Sequence, residues 1–153
     1  MNESITSCTR LAPLSPEHLE SAWELFAKNH ERLDDIIVDL WVDEPALFFE
    51  HFLPIAQLLT TCRAYVILKE DVVIGFLDTG PGAHATRIGY LIDQAHEGQG
   101  IMKQHLSEAL ARLSYPVEAR IHQDNTRSQA LVERLGFVKT ETIDTHYHLW
   151  RLI

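Results

Sequence analysis

Ile88-Gly89-Tyr90-Leu91-Ile92-Asp93-Gln94-Ala95-His96-Glu97-Gly98-Gln99-Gly100-Ile101-Met102 runs from an apolar stretch, through two spaced glycines, into a segment of helical periodicity. Thr86–Asp93 reads as a strand with Ile88, Tyr90 and Ile92 on one face. Ile101–Ser114 reads as a helix that buries Met102, His105, Leu106, Ala109, Leu110 and Leu113. A strand entering a helix through glycine aims unpaired N–H groups and the positive end of the helix dipole at one point. Such a point suits an anion, most commonly a phosphate. Glycine also lets backbone come close to a ligand. The same pair of glycines equally serves a turn that merely joins strand to helix. A nucleotide-triphosphate loop requires GxxxxGK[ST], but here Met102 precedes Lys103 and no Ser or Thr follows it. A dinucleotide fingerprint needs a third glycine where Lys103 stands.

Upstream, Arg63–Lys69 and Val72–Asp78 read as two strands joined by a hairpin turn at Glu70-Asp71, with a second turn at Gly80-Pro81-Gly82. Thr6–Pro13 reads as a short strand. Ser15-Pro16-Glu17 then starts a helix, with Ser at the N-cap and Pro at the first helical position. Leu19, Ala22, Trp23, Phe26 and Ala27 mark its apolar face. After a polar, acidic connection, Asp43-Glu44-Pro45 opens a second helix with Leu47, Phe48, Phe52, Ile55, Ala56 and Leu59 on its apolar side. Downstream come a strand at Val117–Gln123, a helix at Asn125–Leu135 stopped by Gly136, and strands at Phe137–Ile143 and Tyr147–Ile153. The order β α α β β β α β α β β predicts a mixed α/β domain with a central sheet of about six to seven strands flanked by about four helices.

The chain has 153 residues, 46% of them hydrophobic and 23% charged, with no repeat or linker, so residues 1–153 read as a single domain. That length buries a core without disulfide or metal staples. Cys8 and Cys62 form neither a metal-ligand spacing nor a disulfide framework, and a reducing cytoplasm is expected. No apolar run is long enough to span a bilayer, and Met1–Arg10 has no signal-like apolar core. The net charge of −9 argues against nucleic-acid or anionic-membrane binding and permits a cationic partner. His146 and His148 would share a strand face, while His84, His96, His105 and His122 are scattered. No metal is expected from that pattern.

A second segment joins the first: Asp124-Asn125-Thr126-Arg127-Ser128-Gln129-Ala130-Leu131-Val132-Glu133-Arg134-Leu135-Gly136-Phe137 starts a helix directly after a strand. Together the two segments resemble the GNAT superfamily of acyl-CoA N-acyltransferases, and within it the RimJ/RimL type, which acetylates N-terminal amines of ribosomal proteins. The resemblance runs from Ile88 to Phe137, and the order and lengths of elements extend it over Arg10–Asp78. It implies acetyl-CoA as co-substrate and a role for each position. Glu97, Gly98, Gln99, Gly100, Ile101 and Met102, with Lys103 behind them, would cradle the coenzyme A pyrophosphate. Leu91, Ile92 and Asp93 would bond the pantetheine arm through backbone groups, as an added strand does. The arm would enter where the fourth and fifth strands splay apart. A backbone N–H near Leu91 would polarise the thioester carbonyl. Asn125 would bond the arm, and Ser128 would face the sulfur and protonate the departing thiolate.

The sequence departs from the family pattern in several places. Glu97 stands where Gln or Arg is usual, so its carboxylate must turn away from a pyrophosphate. Val132 occupies the place of a common tyrosine acid, and Arg87 the place of a common glutamate. The C-terminal hairpin is short and offers Glu141, Asp144 and Tyr147 only as neighbours of an acceptor site.

Thioester aminolysis needs a neutral amine, a polarised carbonyl and a stabilised thiolate, with no covalent enzyme intermediate. At pH 7 roughly a tenth of an α-amine of pKa about 8 is neutral, against about one lysine amine in a few thousand. A site without an obvious strong base therefore suits α-amines. Glu31, Asp34, Asp35, Asp39, Asp43 and Glu44 follow the first helix with only Arg32 opposing them. They form either an attractor for a cationic acceptor or a solvated connection. Trp41 and Phe49 line such a pocket or belong to the core. The expected activity is acetyl transfer to a primary amine, with a protein N-terminal α-amine favoured. The alternatives are a small cationic amine, such as a polyamine or antibiotic, or a catalytically idle CoA-binding interaction module. A monomer or a homodimer is expected.

Overall fold

A computed structural model describes residues 9–32, 41–57, 63–81 and 85–153. Cys8, Asp34, Asp35, Asp39, Leu59, Cys62 and His84 lie outside the described residues. Seven strands form one sheet: β1 (Thr9–Pro13), β2 (Ala64–Lys69), β3 (Val72–Pro81), β4 (Thr86–Ile92), β5 (Val117–His122), β6 (Val138–Ile143) and β7 (Tyr147–Leu152). They pair in the order β1-β2-β3-β4-β5-β7-β6. The α-helices among the described residues are α1 (Leu19–Asn29), α2 (Pro45–Gln57), α3 (Ile101–Leu110) and α4 (Thr126–Arg134). The expected order of elements is the observed one. Contacts divide the chain into two compact units, residues 1–78 with 90–105 and residues 79–89 with 106–153.

In the first unit, α1 and α2 cover one face of β1, β2 and β3. Alternation along β2 decides which side chains meet them: Ala64, Val66 and Leu68 join Leu25, Phe26, Phe48, Phe52 and Phe76 in one buried cluster. Its aromatic rings pack edge-on, with Phe26 5.2 Å from both Phe48 and Phe76. Trp41 belongs to this core, against Phe26, Phe48 and Phe52. Phe49 packs against the same core beside Phe48 and also lines an open groove of about 450 Å³ with Pro16, Leu19, Glu20, Trp23 and Pro45. Leu47, expected on the buried side of α2, is 37% exposed, because Phe48, Phe52 and Ala56 at four-residue spacing already fill the contact. Tyr65 and Ile67 of β2 point to the other face and are also fully buried. On β1, Thr9 hydrogen-bonds to the buried His105 of α3 at 2.9 Å.

The β2–β3 hairpin turns on the two-residue loop Glu70-Asp71 and the β6–β7 hairpin on the three-residue loop Asp144-Thr145-His146, neither containing glycine. Glu70 and Asp71 have φ of 51° and 66°, and Asp144 and Thr145 have φ of 53° and 63°. At Glu70-Asp71, positive φ at both central residues gives the twist that matches the flanking strands. The first is the turn expected from the sequence. A short 3₁₀ turn, Pro16–His18, leads into α1, with the Ser15 N–H donating to His18 Nδ1 at 3.1 Å and the His18 N–H to the Ser15 carbonyl at 2.9 Å.

In the second unit β7 lies between β5 and β6, antiparallel to both. β6 is an exposed edge strand. Parallel pairing of β4 with β5 joins Thr86, Arg87 and Ile88 to Val117, Glu118 and Ala119. Strict alternation does not hold along β4. Ile88 and Leu91 are buried, whereas Tyr90 and Ile92 are half-buried, so the pattern slips by one residue after Ile88. Such a slip is what an extra strand residue produces. The helix after the glycines ends at Leu110, four residues earlier than expected, and Leu113 lies beyond it, half-buried.

Candidate cofactor-binding site

The glycine segment has a defined shape. After β4, Gln94–His96 form a 3₁₀ turn, Glu97 is extended, and Gly98 and Gly100 take φ of 79° and 76°. A Cβ on either glycine would meet nothing within 4 Å, so backbone conformation rather than space demands glycine. The first hydrogen bond of α3 runs from the Gln104 N–H to the Gly100 carbonyl at 3.1 Å. The amides ahead of it, those of Ile101, Met102 and Lys103, have no intrahelical acceptor. Gly100, at the helix entry, brings no side chain to satisfy them. Ile101 and Met102 are buried and anchor the helix, while Gln99 and Lys103 are exposed beside its start. Backbone donors, a helix dipole and an exposed ammonium are the donor set that a diphosphate requires.

The end of α1 grips this segment through contacts that the sequence analysis did not foresee. Asn29, 2% exposed, donates from Nδ2 to the Leu25 carbonyl at 2.9 Å and to Asp93 Oδ1 at 3.3 Å. Its Oδ1 accepts from the Gln94 N–H at 3.1 Å and from Arg32 Nη2 at 2.8 Å. Lys28 Nζ lies 2.8 Å from Asp93 Oδ2. Burial by itself pushes the Asp93 carboxyl up. Bonds from Lys28 and Asn29, the Lys28 charge and the Ala95 N–H outweigh it and hold the group below its ordinary value. Arg32 places Nη1 2.8 Å from Glu97 Oε2 and Nη2 2.8 Å from the Ile92 carbonyl. Glu97, the unfavourable acid of the sequence, thus has its charge engaged by a guanidinium. The signal available in the sequence was the polar run Lys28-Asn29-His30-Glu31-Arg32 at a helix end, which reads equally as a solvated cap.

The three strand residues fare differently from one another. Leu91 is buried. The Asp93 N–H is committed to the Ile74 carbonyl of β3 at 2.8 Å. The Ile92 carbonyl already accepts from Arg32 and keeps a second lone pair.

In the second unit, Asn125 caps α4: its Oδ1 accepts the Ser128 N–H at 3.1 Å. Asn125 is exposed and Ser128 half-buried. Val132 is fully buried, so the place of the common tyrosine acid belongs to the core. Arg87 is exposed. Around the C-terminal hairpin, Arg120 stacks over Tyr147 at 4.6 Å and reaches Asp144 at 4.0 Å. Glu141 is exposed on β6. His146 stacks on His122 rather than pairing with His148, at 6.1 Å between ring centroids. No cluster of three or more His, Cys, Asp or Glu able to hold a metal occurs among the described residues. No helix among them is long and apolar enough to cross a membrane.

A mixed sheet whose fourth strand enters a helix through left-handed glycines defines an α/β protein with an uncapped helix start after its fourth strand. The chain belongs to the acetyltransferase (GNAT) domain family, which matches residues 9–138. Over 84 residues it is 31% identical to the ribosomal-protein-serine acetyltransferase of Escherichia coli K12, a match covering 50% of this chain and 47% of that protein. The fold is that of RimL, a ribosomal L7/L12 alpha-N-protein acetyltransferase solved with coenzyme A, with a TM-score of 0.76, 21% identity and coverage of 95% and 93% of the two chains. It is equally that of the ribosomal-protein-S5-alanine acetyltransferase from Vibrio fischeri, with a TM-score of 0.76, 17% identity and coverage of 95% and 92%.

Proposed function

We propose that this chain transfers the acetyl group of acetyl-CoA to a protein N-terminal α-amine, working as one domain in the cytoplasm. The observation that carries the reading is the glycine loop, in which Gly98 and Gly100 at positive φ open α3 with its first amides unclaimed. Membership of the GNAT family and similarity to a ribosomal-protein-serine acetyltransferase support the acceptor class.

Acetyl-CoA supplies the activated acyl group. The Glu97 N–H is taken by the Gln94 carbonyl, and the amides from Gly98 to Lys103, with the Lys103 ammonium, hold the pyrophosphate. Backbone groups of Leu91 and Ile92 and the Asn125 side-chain NH₂ hold the pantetheine arm; the Asn125 carbonyl oxygen is taken by its own helix. Asp93, whose N–H and carboxylate are both engaged, fixes the strand end rather than bonding the arm. As the neutral amine nitrogen bonds the acyl carbon the C–S bond breaks, Ser128 Oγ–H gives its proton to the departing thiolate, and the proton shed by the nitrogen passes through solvent to restore the hydroxyl.

Thermal unfolding of the full chain tests the cofactor. Acetyl-CoA at about 100-fold over its Kd adds about 2.7 kcal/mol. That raises Tm by about 5–10 °C for a domain of this size, with ATP and NAD as controls. No rise at saturation overturns the reading. Ribosomal-protein N-terminal peptides assayed beside polyamines and aminoglycosides then test the acceptor. Acetylation confined to the small amines overturns the protein acceptor.

A further inference from the structure

Glu97 and Arg32 are 65 residues apart in the chain and meet at 2.8 Å, with side chains only 17% and 29% exposed. Glu97 immediately precedes Gly98, so its carboxylate is the fixed negative charge nearest in sequence to the loop amides. The same guanidinium ties down the Ile92 carbonyl at the end of β4 and the Asn29 amide of α1. One planar fork therefore joins the strand that precedes the loop, the residue that opens it, and the helix beside it. Lysine could not reproduce this, since a point ammonium lacks the fork.

We propose that Arg32 is a positioning residue for acetyl-CoA, resting on the function proposed above. It neutralises Glu97 and draws the carboxylate aside, leaving the loop amides to a dianionic ligand. Without the guanidinium, the Glu97 carboxylate loses the Arg32 charge that offsets it beside the pyrophosphate. A like charge close to a binding anion lowers affinity, and salt screens that loss. A residue that only braced the fold would lose affinity without such a salt dependence, and no change at Glu97 would restore it.

Calorimetric titration of the full chain with acetyl-CoA separates these cases. Arg32→Met keeps the stem and removes the charge. At about 0.05 M salt it is expected to weaken binding about tenfold or more, and at about 0.5 M the loss shrinks to about threefold. Adding Glu97→Gln to Arg32→Met is expected to restore affinity to within about threefold of the wild type. Glu97→Gln alone tightens binding about two- to fivefold, because it leaves the Arg32 cation unopposed. The proposal is overturned if Arg32→Met binds like the wild type, or if the double variant stays as weak as Arg32→Met. Should circular dichroism show Arg32→Met unfolded, Glu97→Gln alone decides: tighter binding supports the role of Arg32, and equal or weaker binding overturns it. A wild type that does not bind acetyl-CoA overturns the proposed function itself; a wild type that binds while the variants behave otherwise overturns only the role of Arg32.

Discussion

The chain passes from strand to helix twice around its parallel pair, and the two junctions are built in opposite ways. Between β5 and α4 the backbone satisfies itself. Asn125 caps Ser128, its own N–H bonds the His122 carbonyl, the Thr126 N–H bonds the Asp124 carbonyl, and Gln129 reaches back to the Gln123 carbonyl. Between β4 and α3 there is glycine where a cap would stand; the His96 and Glu97 N–H groups close the turn on the Asp93 and Gln94 carbonyls, and Lys28, Asn29 and Arg32 of the first helix region hold it from outside. A self-capped helix start has few donors left for a ligand. A start braced from behind keeps its amides free and its shape fixed. The difference singles out the start of α3 as the place where the protein would receive an anion.

The brace is the feature whose loss should cost most. Asn29→Leu removes one bond each to Asp93 and Gln94 and two to Arg32 while keeping the branched outline of the side chain. Leaving a buried, partnered carboxylate and guanidinium short of bonds costs about 3 kcal/mol. For a domain of this size Tm should fall about 6–12 °C. A fall of less than about 2 °C in calorimetry would show that the first helix does not hold the loop.

Substitution at the loop itself should act on the ligand more than on the fold. Gly100→Ala forces a Cβ into a left-handed conformation at about 1–2 kcal/mol, with no protein atom within 4 Å to clash. A diphosphate drawn up to the backbone would meet that methyl. Acetyl-CoA affinity should therefore drop about tenfold or more, beyond anything the melting temperature explains. Unchanged affinity in a titration would break the contrast between the junctions.

At the second junction the balance reverses. Asn125→Ala removes a cap worth about 1 kcal/mol and lowers Tm by about 2–4 °C. Acetyl-CoA binding should weaken only about threefold, through the single amide that the cap leaves over. A larger loss than Gly100→Ala produces would mean that the second junction, not the first, dominates cofactor binding.

Much of this was legible in the sequence because the features are local. Glycines at two-residue spacing, Ser15-Pro16 before an apolar helical face, and a Glu-Asp pair between β-rich runs each state their geometry within a few residues. The core of the first unit followed from periodicity, down to Phe48, Phe52 and Ala56 of α2. What periodicity misread was β4, where one slipped residue exchanges the faces of Tyr90 and Leu91. The brace was illegible for a different reason. Asn29 and Asp93 are 64 residues apart, and Arg32 and Glu97 are 65 apart. No local pattern marks which of 13 Lys and Arg and 22 Asp and Glu will meet. Glu97 could be seen to require a partner, but the identity of that partner is a property of the fold.

Acid should distinguish the helix starts once more, with smaller effects. Asn125 does not titrate, so the cap of α4 is indifferent to pH. Asp93, at the braced junction, has its carboxyl held below the ordinary value of 3.8. Its contribution is present in full above that value and is lost as pH falls through the lowered one. The entry to α1 responds earlier. Burial lowers the His18 pKa below 6.5, aided by Arg10 and opposed by Glu17 and Asp71. The folded chain therefore binds this proton less readily than the unfolded chain, and the stability tied to neutral His18 is lost as pH falls below 6.5. The bond at stake is the Ser15 N–H to His18 Nδ1, which a protonated ring cannot accept. Glutamine at this position completes a Ser-x-x-Gln capping box that does not titrate. In urea unfolding, His18→Gln should match the wild type near pH 7.5 and exceed it by about 0.5 kcal/mol near pH 5.5. Parallel curves for the two proteins across that interval would show that the histidine takes no part in capping α1, leaving the Ser15 carbonyl and the Pro16 turn to start the helix unaided.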